Sequence, residues 1–583
     1  MRLLPSVAQR RALCSAGIAI VALGACSHAP LLVVPEPALA GHEEPRELAV
    51  DQQVKHALNR LTYGARPGEA MTVIRGDGLD RWLTRQLTPE NWADHSADSA
   101  LVRFPVLKMP LRALVDSSPQ QDVFVRRRRA ELGLAANAQY VMTADDSAHF
   151  KIMNDRGNRL VNQYLGAKME RAVSSDHQLE EVMTDFWENH FSVFRGKMPT
   201  QFTLLEYDRD VIRPHALGKF RDLLGAVAHS SAMLYYLDNY QSTADSAHLT
   251  LAAWNNVAKA KTAADSARLR AAALKRRGGL NENYGRELME LHTLGVDGGY
   301  TQQDVINVAR ALTGWTLQTP REGGGFTFNA NAHDAEEKLV LGHVIKAGRG
   351  EADGDEVLDI VAHHPSTAHY IAMKLVRHFV ADTAPPELVN RVAATFTQTD
   401  GDIRQMMAVI VSSPEFYRKS TFRAKVKTPY EVVASTYRAM GGIPDTLSRS
   451  VNYAQTLGQQ LYGHLTPDGW PDVADAWMNT GAVLNRINFG SNVSAGRVPG
   501  IVINRWSPGM ALKGLSSNVM ADSVTSALLQ GEVSSDTHAV LMSGSNPVAE
   551  RGGVVPMTTI TKGAPTLADL IGLALGAPEF QRH

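Results

Sequence analysis

Residues 281–295 bring together several side chains that could carry acid–base chemistry or bind a cation. On a helix, Glu287 and Glu290 lie one turn apart on the same face, and two such carboxylates suit a divalent cation or an acid–base pair. Arg286 is one turn from Glu290, so an ion pair within the helix is the alternative. His292 falls on the apolar face, where it is either a functional group or a hydrogen-bonded core histidine.

A second segment of this kind is 185–191, which reads Asp-Phe-Trp-Glu-Asn-His-Phe. It belongs to an amphipathic helix predicted over 179–194, in which His190 lies within an aromatic stripe. Burial in that stripe makes the pKa of the imidazole depend on its neighbours, as acid–base chemistry requires. The alternative is a core histidine that is hydrogen-bonded to the backbone.

Other histidines offer less specific patterns. Residues 333–334 and His343 lie in predicted loops and could bind a metal only by residue type. Residues 363–367 precede or begin a predicted helix that also carries Lys374 and His378 one turn apart, so an anion site at its N-terminus is one interpretation. Simple capping of the helix is the interpretation we favour.

Standard catalytic signatures are missing from the sequence. It contains no His-Glu-x-x-His motif, no Gly-x-Ser-x-Gly elbow, no phosphate-binding P-loop and no dinucleotide-binding glycine fingerprint. These absences argue against the common zinc proteases, esterases, nucleotide hydrolases and nicotinamide enzymes, and they leave less common enzymes open.

The elements that must position these residues are mostly helices. Apolar residues recur at helical spacing through 49–583, which predicts a mainly α fold built as one large helical body. Near 322–356 the helical periodicity is interrupted. Three glycines are followed there by alternating phenylalanine and polar residues and then by a glycine-rich loop. The pattern predicts a small β-hairpin and loop insertion between helical parts.

The first residues predict export. A basic start is followed by the apolar run 13–23, which is shorter than the roughly 20 residues of a membrane span and is typical of a signal peptide. The run ends in Leu-Gly-Ala and then Cys26, which resembles a bacterial lipobox. We therefore predict a signal peptide over 1–26, lipid attachment at Cys26 and a flexible tether over 27–48. An ordinary secretory signal with a chance cysteine is the alternative.

The lipobox interpretation places the protein in the periplasm or at the outer membrane as a lipoprotein, held to the membrane only by its lipid. Ser27 after the cysteine favours the outer membrane by the sorting rule for lipoproteins. The adjacent arginines at 10–11 leave export by the general or the twin-arginine route undecided.

Cysteine content and charge narrow the chemistry further. The only cysteines are Cys14 and Cys26, so a processed chain has no thiol for a disulfide, a catalytic nucleophile or a thiolate metal site. The formal net charge is −1, and the dense basic run 126–129 is interpreted as a solvated helix face. We therefore expect no nucleic-acid partner.

Several segments together resemble a known bacterial family, the domain of unknown function 1800 family. Besides 185–191, they include Tyr-Gly-Arg-Glu-Leu-Met-Glu-Leu-His-Thr-Leu-Gly at 284–295 and Pro-Asp-Gly-Trp-Pro at 467–471. The others are 309–315, 364–368, 374–379, 425–429, 457–459 and 578–580. The resemblance covers nearly the whole chain after the tether, in order.

The resemblance implies an exported, mostly helical protein, and it brings no settled activity, cofactor or catalytic residue. It also implies a neighbour, because genes of this family often lie beside those of a second secreted family, the domain of unknown function 1501 family. That second family resembles sulfatases and phosphatases. A secreted protein of the second family is therefore the expected partner.

Two functions remain in competition. One is a metal-dependent or acid–base enzyme of the cell envelope, with His190, Glu287 and Glu290 in acid–base or ligand roles and Arg286 or Arg310 holding an anionic group. His292 joins this candidate catalytic set. The other is a non-catalytic scaffold or export partner of the co-encoded secreted protein. The reaction, the substrate, any metal or cofactor and the oligomeric state stay open.

Overall fold

The computed structural model describes residues 33–39, 45–275, 278–318, 324–512, 514–531, 533–544 and 564–583. The predicted signal peptide, Cys26 and parts of the predicted tether lie outside these ranges. Within 33–39, the Val34 amide donates to Asn91 Oδ1 at 2.8 Å and the Asn91 amide donates back to the Val34 carbonyl at 2.9 Å. This part of the segment therefore contacts the body.

The predicted mainly α fold is confirmed. The first α-helices are α1 (Val50–Leu61), α2 (Glu69–Arg75), α3 (Gly78–Leu87), α4 (His95–Leu101), α5 (Leu111–Asp116), α6 (Gln121–Glu131), α7 (Ala144–Ser174), α8 (Gln178–His190), α9 (Thr200–Glu206), α10 (Phe220–Ala228), α11 (Ser231–Tyr236), α12 (Leu251–Ala258) and α13 (Ala263–Ala273). They are followed by α14 (Asn283–Glu287), α15 (Gln302–Ala311), α16 (Ala352–Ala362), α17 (Pro365–Phe379), α18 (Pro386–Gln398), α19 (Ile403–Ser412), α20 (Pro429–Met440), α21 (Arg449–Thr456), α22 (Thr480–Ser494), α23 (Ser507–Met510), α24 (Ser517–Leu529), α25 (Ser535–Ser543), α26 (Leu567–Gly576) and α27 (Pro578–Gln581). No helix in the described ranges has both the length and the apolar character needed to cross a membrane.

The predicted β insertion is also confirmed, as two small antiparallel hairpins. Strand β1 (Trp315–Leu317) pairs with β2 (Phe326–Phe328), and β3 (Lys338–Val340) pairs with β4 (His343–Ile345). Strand β1 precedes the predicted 322–356 insertion because it leaves helix α15 directly after a short turn. The insertion therefore begins a few residues earlier than the glycine run indicated.

Capping interactions explain where helices α17 and α20 begin. Helix α17 has Pro365 at its first position, where a missing amide hydrogen costs nothing, and the His364 ring accepts a hydrogen bond from the Ser366 amide at 3.2 Å. The capping interpretation of 363–367 is thus what the structure contains. Helix α20 begins with a capping box between Thr428 and Glu431.

The segment predicted as one helix over 281–295 changes its geometry midway. Helix α14 is continued by a π-helical turn, Leu288–Thr293, in which the Leu294 amide bonds to the Met289 carbonyl at 2.9 Å. His292 lies within this turn, and its side chain is fully buried in the core. Such turns are frequent at functional sites.

The hairpin region is joined to the helical body by buried charges. Arg310 on α15 donates from Nε to Asp334 Oδ2 at 2.7 Å, and Lys338 on β3 lies 2.8 Å from Asp353 Oδ2 on α16. The side chains of Asp334, Lys338 and Asp353 are 0 % exposed. Each charge is compensated by a neighbour, which is the condition under which charges are tolerated in a protein interior.

Substitution of Arg310 tests this structural role. We expect Arg310→Leu to lower the free energy of unfolding by about 3–5 kcal/mol, because the Asp334 carboxylate stays buried without its guanidinium. Urea denaturation followed by circular dichroism measures the change. Arg310→Leu combined with Asp334→Leu should recover part of the loss.

The matched control is Arg286→Leu. Arg286 pairs with Glu282 at 3.4 Å on the surface, where the two side chains are 40 % and 39 % exposed, so its loss should change stability by no more than about 0.5 kcal/mol. Equal effects of the two substitutions would contradict the assigned role of Arg310.

Candidate functional site

A cavity of about 250 Å³ lies where α7, α8, α17, α20 and the loop 459–472 meet. Charged side chains from every one of these elements line it, among aromatic neighbours such as Phe186, Tyr370 and Trp470. A concave site with convergent polar groups is the default place to look for ligand binding or catalysis.

The wall between α8 and the loop is formed by one amide side chain. Asn189 Nδ2 donates to the Trp470 carbonyl at 2.9 Å, while the Trp470 amide donates to Asn189 Oδ1 at 2.7 Å. Gly469 has a φ of +75°, and a β-carbon there would lie 2.2 Å from the Asn189 carbonyl oxygen. The loop therefore reaches this helix only because position 469 is glycine.

The wall between α8 and the π-helical turn is formed by His190. Its Nε2 donates to the His292 carbonyl at 3.1 Å, because a carbonyl can only accept. Nδ1 of His190 is buried without a hydrogen-bond partner in the described part of the chain. Burial, with the positive charge of Lys374, lowers the pKa of His190 well below its usual range and that of His292 to about 3. Both imidazoles are therefore neutral.

A buried ion pair joins α7 to α8. The Lys168 ammonium bonds to Glu188 and lies 3.1 Å from Asp185 Oδ1. Burial alone would lower the pKa of Lys168, but Glu188 and Asp185 raise it well above its usual range. Burial, partly offset by Lys168, raises the pKa of Glu188. Lys168 is thus positively charged, and the two carboxylates already balance its charge.

Tyr462 completes this part of the wall. Its hydroxyl donates to Glu188 Oε1 at 2.6 Å and contacts the Tyr164 hydroxyl. The backbone at Tyr462 has a φ of +50°, a left-handed conformation that is unfavourable for a bulky side chain. Strained residues of this kind gather at functional sites, where the surrounding structure holds them.

The opposite wall carries a carboxylate–imidazole pair. His378 Nδ1 donates to Asp472 Oδ2 at 2.8 Å, and Lys425 Nζ donates to Asp472 Oδ1 at 2.7 Å and to Asp382 Oδ1 at 2.8 Å. Burial acts to raise the pKa of Asp472, but His378 and Lys425 hold it well below its usual range. The carboxylate is therefore ionised and fixes the ring of His378.

This pairing leaves the second imidazole nitrogen of His378 available. Because Nδ1 carries the proton that Asp472 accepts, Nε2 is an acceptor in the neutral ring. Among the described residues, Nε2 has no hydrogen-bond partner. A histidine oriented by a carboxylate, with its other nitrogen at a cavity, is the arrangement of a general base.

Lys374 lies one turn before His378 on α17 and also lines the cavity. Burial lowers the pKa of Lys374 to about 8, and the Arg377 guanidinium acts in the same direction while Asp472 and Asp468 oppose it. Its ammonium lies 5.6 Å from the centre of the Tyr370 ring. This lysine is therefore positively charged at neutral pH and less basic than usual.

Three of the residues singled out in the sequence line this cavity, namely His190, Lys374 and His378. His292 lies directly behind His190, with 6.4 Å between the ring centres. Glu287 and Glu290 lie outside the lining but within electrostatic range of its rim: burial and Glu290 raise the pKa of Glu287, to which Asp468 also contributes.

Other predicted residues lie elsewhere. Arg286 is on the surface with Glu282 and Gln302, whereas Arg310 belongs to the buried cluster with Asp334. His333 is fully buried and bonds through Nδ1 to the Thr313 carbonyl at 2.8 Å. Within the described ranges, no three His, Cys, Asp or Glu side chains come together as they would around a metal ion.

The basic run 126–129 lies on α6 and makes contacts within the chain. Arg127 lies 2.7 Å from Asp116, Arg128 lies 2.8 Å from Asp146, and Arg129 donates to the Ala138 carbonyl at 3.0 Å. These charges are therefore engaged locally, as expected of a solvated helix face.

Comparison with known proteins identifies the family. The family model described as protein of unknown function (DUF1800) matches residues 56–582. The chain belongs to the DUF1800 family. No curated protein and no solved structure matches it.

Several of the segments by which the sequence resembles the DUF1800 family meet around the cavity. Segment 185–191 supplies the α8 wall, 374–379 supplies the α17 wall, 425–429 supplies Lys425 and the start of α20, and 467–471 supplies the closing loop. Segments that are far apart in the sequence therefore meet in one place. This convergence makes the cavity the candidate functional site of the chain.

Sequence reasoning missed the carboxylate that orients His378. Asp472 follows directly after the Pro-Asp-Gly-Trp-Pro motif, and its pairing with α17 spans 94 residues. The acceptor role of His378, the charge of Arg377 beside it and the buried position of Lys168 were likewise not foreseen. One pattern in the sequence could have indicated the site: short polar motifs occur in several segments that are otherwise typical of apolar helices.

Chemical labelling of lysines tests the environment of Lys374. Because an ammonium is unreactive and a neutral amine reacts, we expect acetylation of Lys374 to rise as the pH passes through about 8. An ordinary lysine has its midpoint at about 10.4. Mass spectrometry of peptides labelled with acetic anhydride over a pH series measures both, and an ordinary midpoint at Lys374 would mean that the cavity wall is fully hydrated.

Proposed function

We propose that this DUF1800 protein is an acid–base enzyme whose active site is the cavity between α8 and α17. The observation that carries the proposal is the 2.8 Å hydrogen bond from His378 Nδ1 to Asp472, after which Nε2 has no hydrogen-bond partner among the described residues. In this role, Nε2 of His378 removes a proton from water or from a substrate hydroxyl held in the cavity.

The surrounding residues support such a step. Asp472 holds the neutral ring in the required tautomer and stabilises the imidazolium that forms when Nε2 takes the proton. Lys425 keeps Asp472 ionised and in place, since it bonds to the other carboxylate oxygen. Phe186 packs against the ring with 5.2 Å between the ring centres, so the imidazole is fixed on its face as well.

The second candidate from the sequence, a scaffold or export partner for a secreted protein of the domain of unknown function 1501 family, makes a different prediction. A scaffold needs its surface and its stability, and it does not need the unprotonated nitrogen of one cavity histidine. The two functions are therefore separated by a substitution that keeps the fold and removes that nitrogen.

His378→Asn is the deciding substitution, because the asparagine amide can still donate to Asp472. Purified wild-type and variant proteins are incubated with an extract of small molecules from the bacterial envelope, and consumed and formed compounds are measured by mass spectrometry. We expect the wild type to convert at least one compound and His378→Asn to convert it about 10²–10⁴-fold more slowly.

His363→Asn is the matched control. His363 pairs with Asp400 at the same distance, 2.8 Å, but this pair is on the surface, with side chains 57 % and 66 % exposed. The control should retain wild-type conversion. Identical behaviour of wild type and His378→Asn, together with co-purification of the neighbouring secreted protein, would favour the scaffold.

We also propose that the protein acts in the cell envelope as a lipoprotein attached through Cys26. Support comes from the sequence alone: the basic start, the short apolar run and the Leu-Gly-Ala-Cys ending at residue 26. A lipid at that position leaves the cavity on the aqueous side of the membrane.

Labelling with radioactive palmitate in a Gram-negative host tests the attachment. We expect the full-length protein to take up label and to fractionate with the outer membrane, and we expect Cys26→Ala to lose the label. Cys14→Ala should keep it, since Cys14 lies within the predicted leader. Label that persists in Cys26→Ala would remove the lipobox interpretation.

A further inference from the structure

Four donor groups on the cavity wall have no hydrogen-bond partner in the described part of the chain. They are the Lys374 ammonium, Arg377 Nε, Trp470 Nε1 and the Tyr430 hydroxyl; the last three are buried. These groups come from α17, α20 and the loop 459–472. Buried donors are almost always satisfied, so a cluster of unsatisfied ones indicates a missing acceptor.

In the described part of the chain, none of the five carboxylates that line the same cavity accepts a hydrogen bond from these donors. Asp185 and Glu188 form ion pairs with Lys168, and Asp472 pairs with His378 and Lys425. Glu431 accepts from the Thr428 amide at 2.6 Å in its capping box, and Asp468 accepts from the Thr466 hydroxyl at 2.5 Å. A bound ligand is therefore the acceptor that we infer for these donors.

The two cations also act unfavourably on one another. Burial lowers the pKa of Lys374, and the Arg377 guanidinium lowers it further. Asp472 and Asp468 oppose this effect, yet the pKa of Lys374 remains lowered to about 8. A bound negative charge would reduce the repulsion between the two cations.

We propose that the cavity binds the oxyanion group of a small substrate between Lys374 and Arg377, with Trp470 Nε1 and the Tyr430 hydroxyl as further donors. The group is a carboxylate, a phosphate or a sulfate, since all three present several acceptor oxygens and a negative charge. This inference rests on the proposed function, in which the same cavity is the active site.

The position of the oxyanion follows from helix α17. Lys374, Arg377 and His378 lie within one turn of one another, so the anionic group is placed beside the general base. The bond that reacts then lies next to the charged end of the substrate. A substrate without such a group would leave the four donors unsatisfied.

Binding of simple oxyanions tests the inference without knowledge of the substrate. Isothermal titration calorimetry with inorganic phosphate, sulfate and acetate, at constant ionic strength, measures affinity for the wild type and for three lysine variants. We expect at least one of the three anions to bind, Lys374→Met to weaken that binding about tenfold or more, and Lys374→Arg to retain most of it.

Lys259→Met is the matched control, because Lys259 is exposed and its removal changes the net charge by the same amount. The control should bind as the wild type does. Circular dichroism confirms that each variant is folded, and Lys374→Arg keeps the test valid if the methionine variant is unstable. No binding of any of the three anions, or an equal loss in Lys259→Met, would overturn the inference.

The outcome is separable from that of the proposed enzyme. Oxyanion binding that depends on Lys374, without any conversion that depends on His378, leaves the binding site standing and removes the enzyme. Conversion of an uncharged compound that depends on His378, without oxyanion binding, leaves the enzyme standing and removes the assignment of its substrate class.

Discussion

Compensation of buried charge is the constraint on which the arrangement of the cavity depends. Carboxylates removed from water must be paired or protonated, and in this chain Lys168 and Lys425 take that role on opposite walls. These two lysines engage Asp185, Glu188 and Asp472, and in the described part of the chain no carboxylate forms a hydrogen bond with Lys374. Lys374 and Arg377 are thereby kept available. The ion pairs that stabilise the cavity walls thus determine which side chains remain available to bind a ligand.

Helix α8 distributes these interactions through three consecutive residues. Glu188 contacts Lys168 on α7 and the Tyr462 hydroxyl, Asn189 holds the backbone of Trp470, and His190 holds the carbonyl of His292. Successive side chains on a helix point about 100° apart, so one turn can reach three different neighbours. The Glu-Asn-His sequence therefore explains how segments separated by hundreds of residues are held around one space.

Much of the fold could be predicted from the sequence, because helical periodicity and glycine runs are local signals. The mainly α body, the bounds of α17 and the hairpin insertion follow from such signals. The π-helical turn at 288–293 did not, since one additional residue in a turn barely alters the apolar pattern. For the site, His190 was found because it interrupts an aromatic stripe. Arg310 could not be distinguished from a ligand-binding arginine until its partner Asp334 was located, and the pairing of His378 with Asp472 depends on a contact between distant segments.

The left-handed backbone at Tyr462 has a consequence for attempts to engineer this protein. Redesign guided by stability alone would choose glycine or asparagine at such a position, because these residues adopt a φ of +50° at little cost. The replacement would relax the main chain and remove the phenol that reaches Glu188. A thermostabilised variant obtained in this way would lack part of the cavity wall, so it would be a poor substitute for the natural protein in crystallography with ligands. At position 462, a gain in thermal stability would therefore be obtained at the expense of the shape of the cavity.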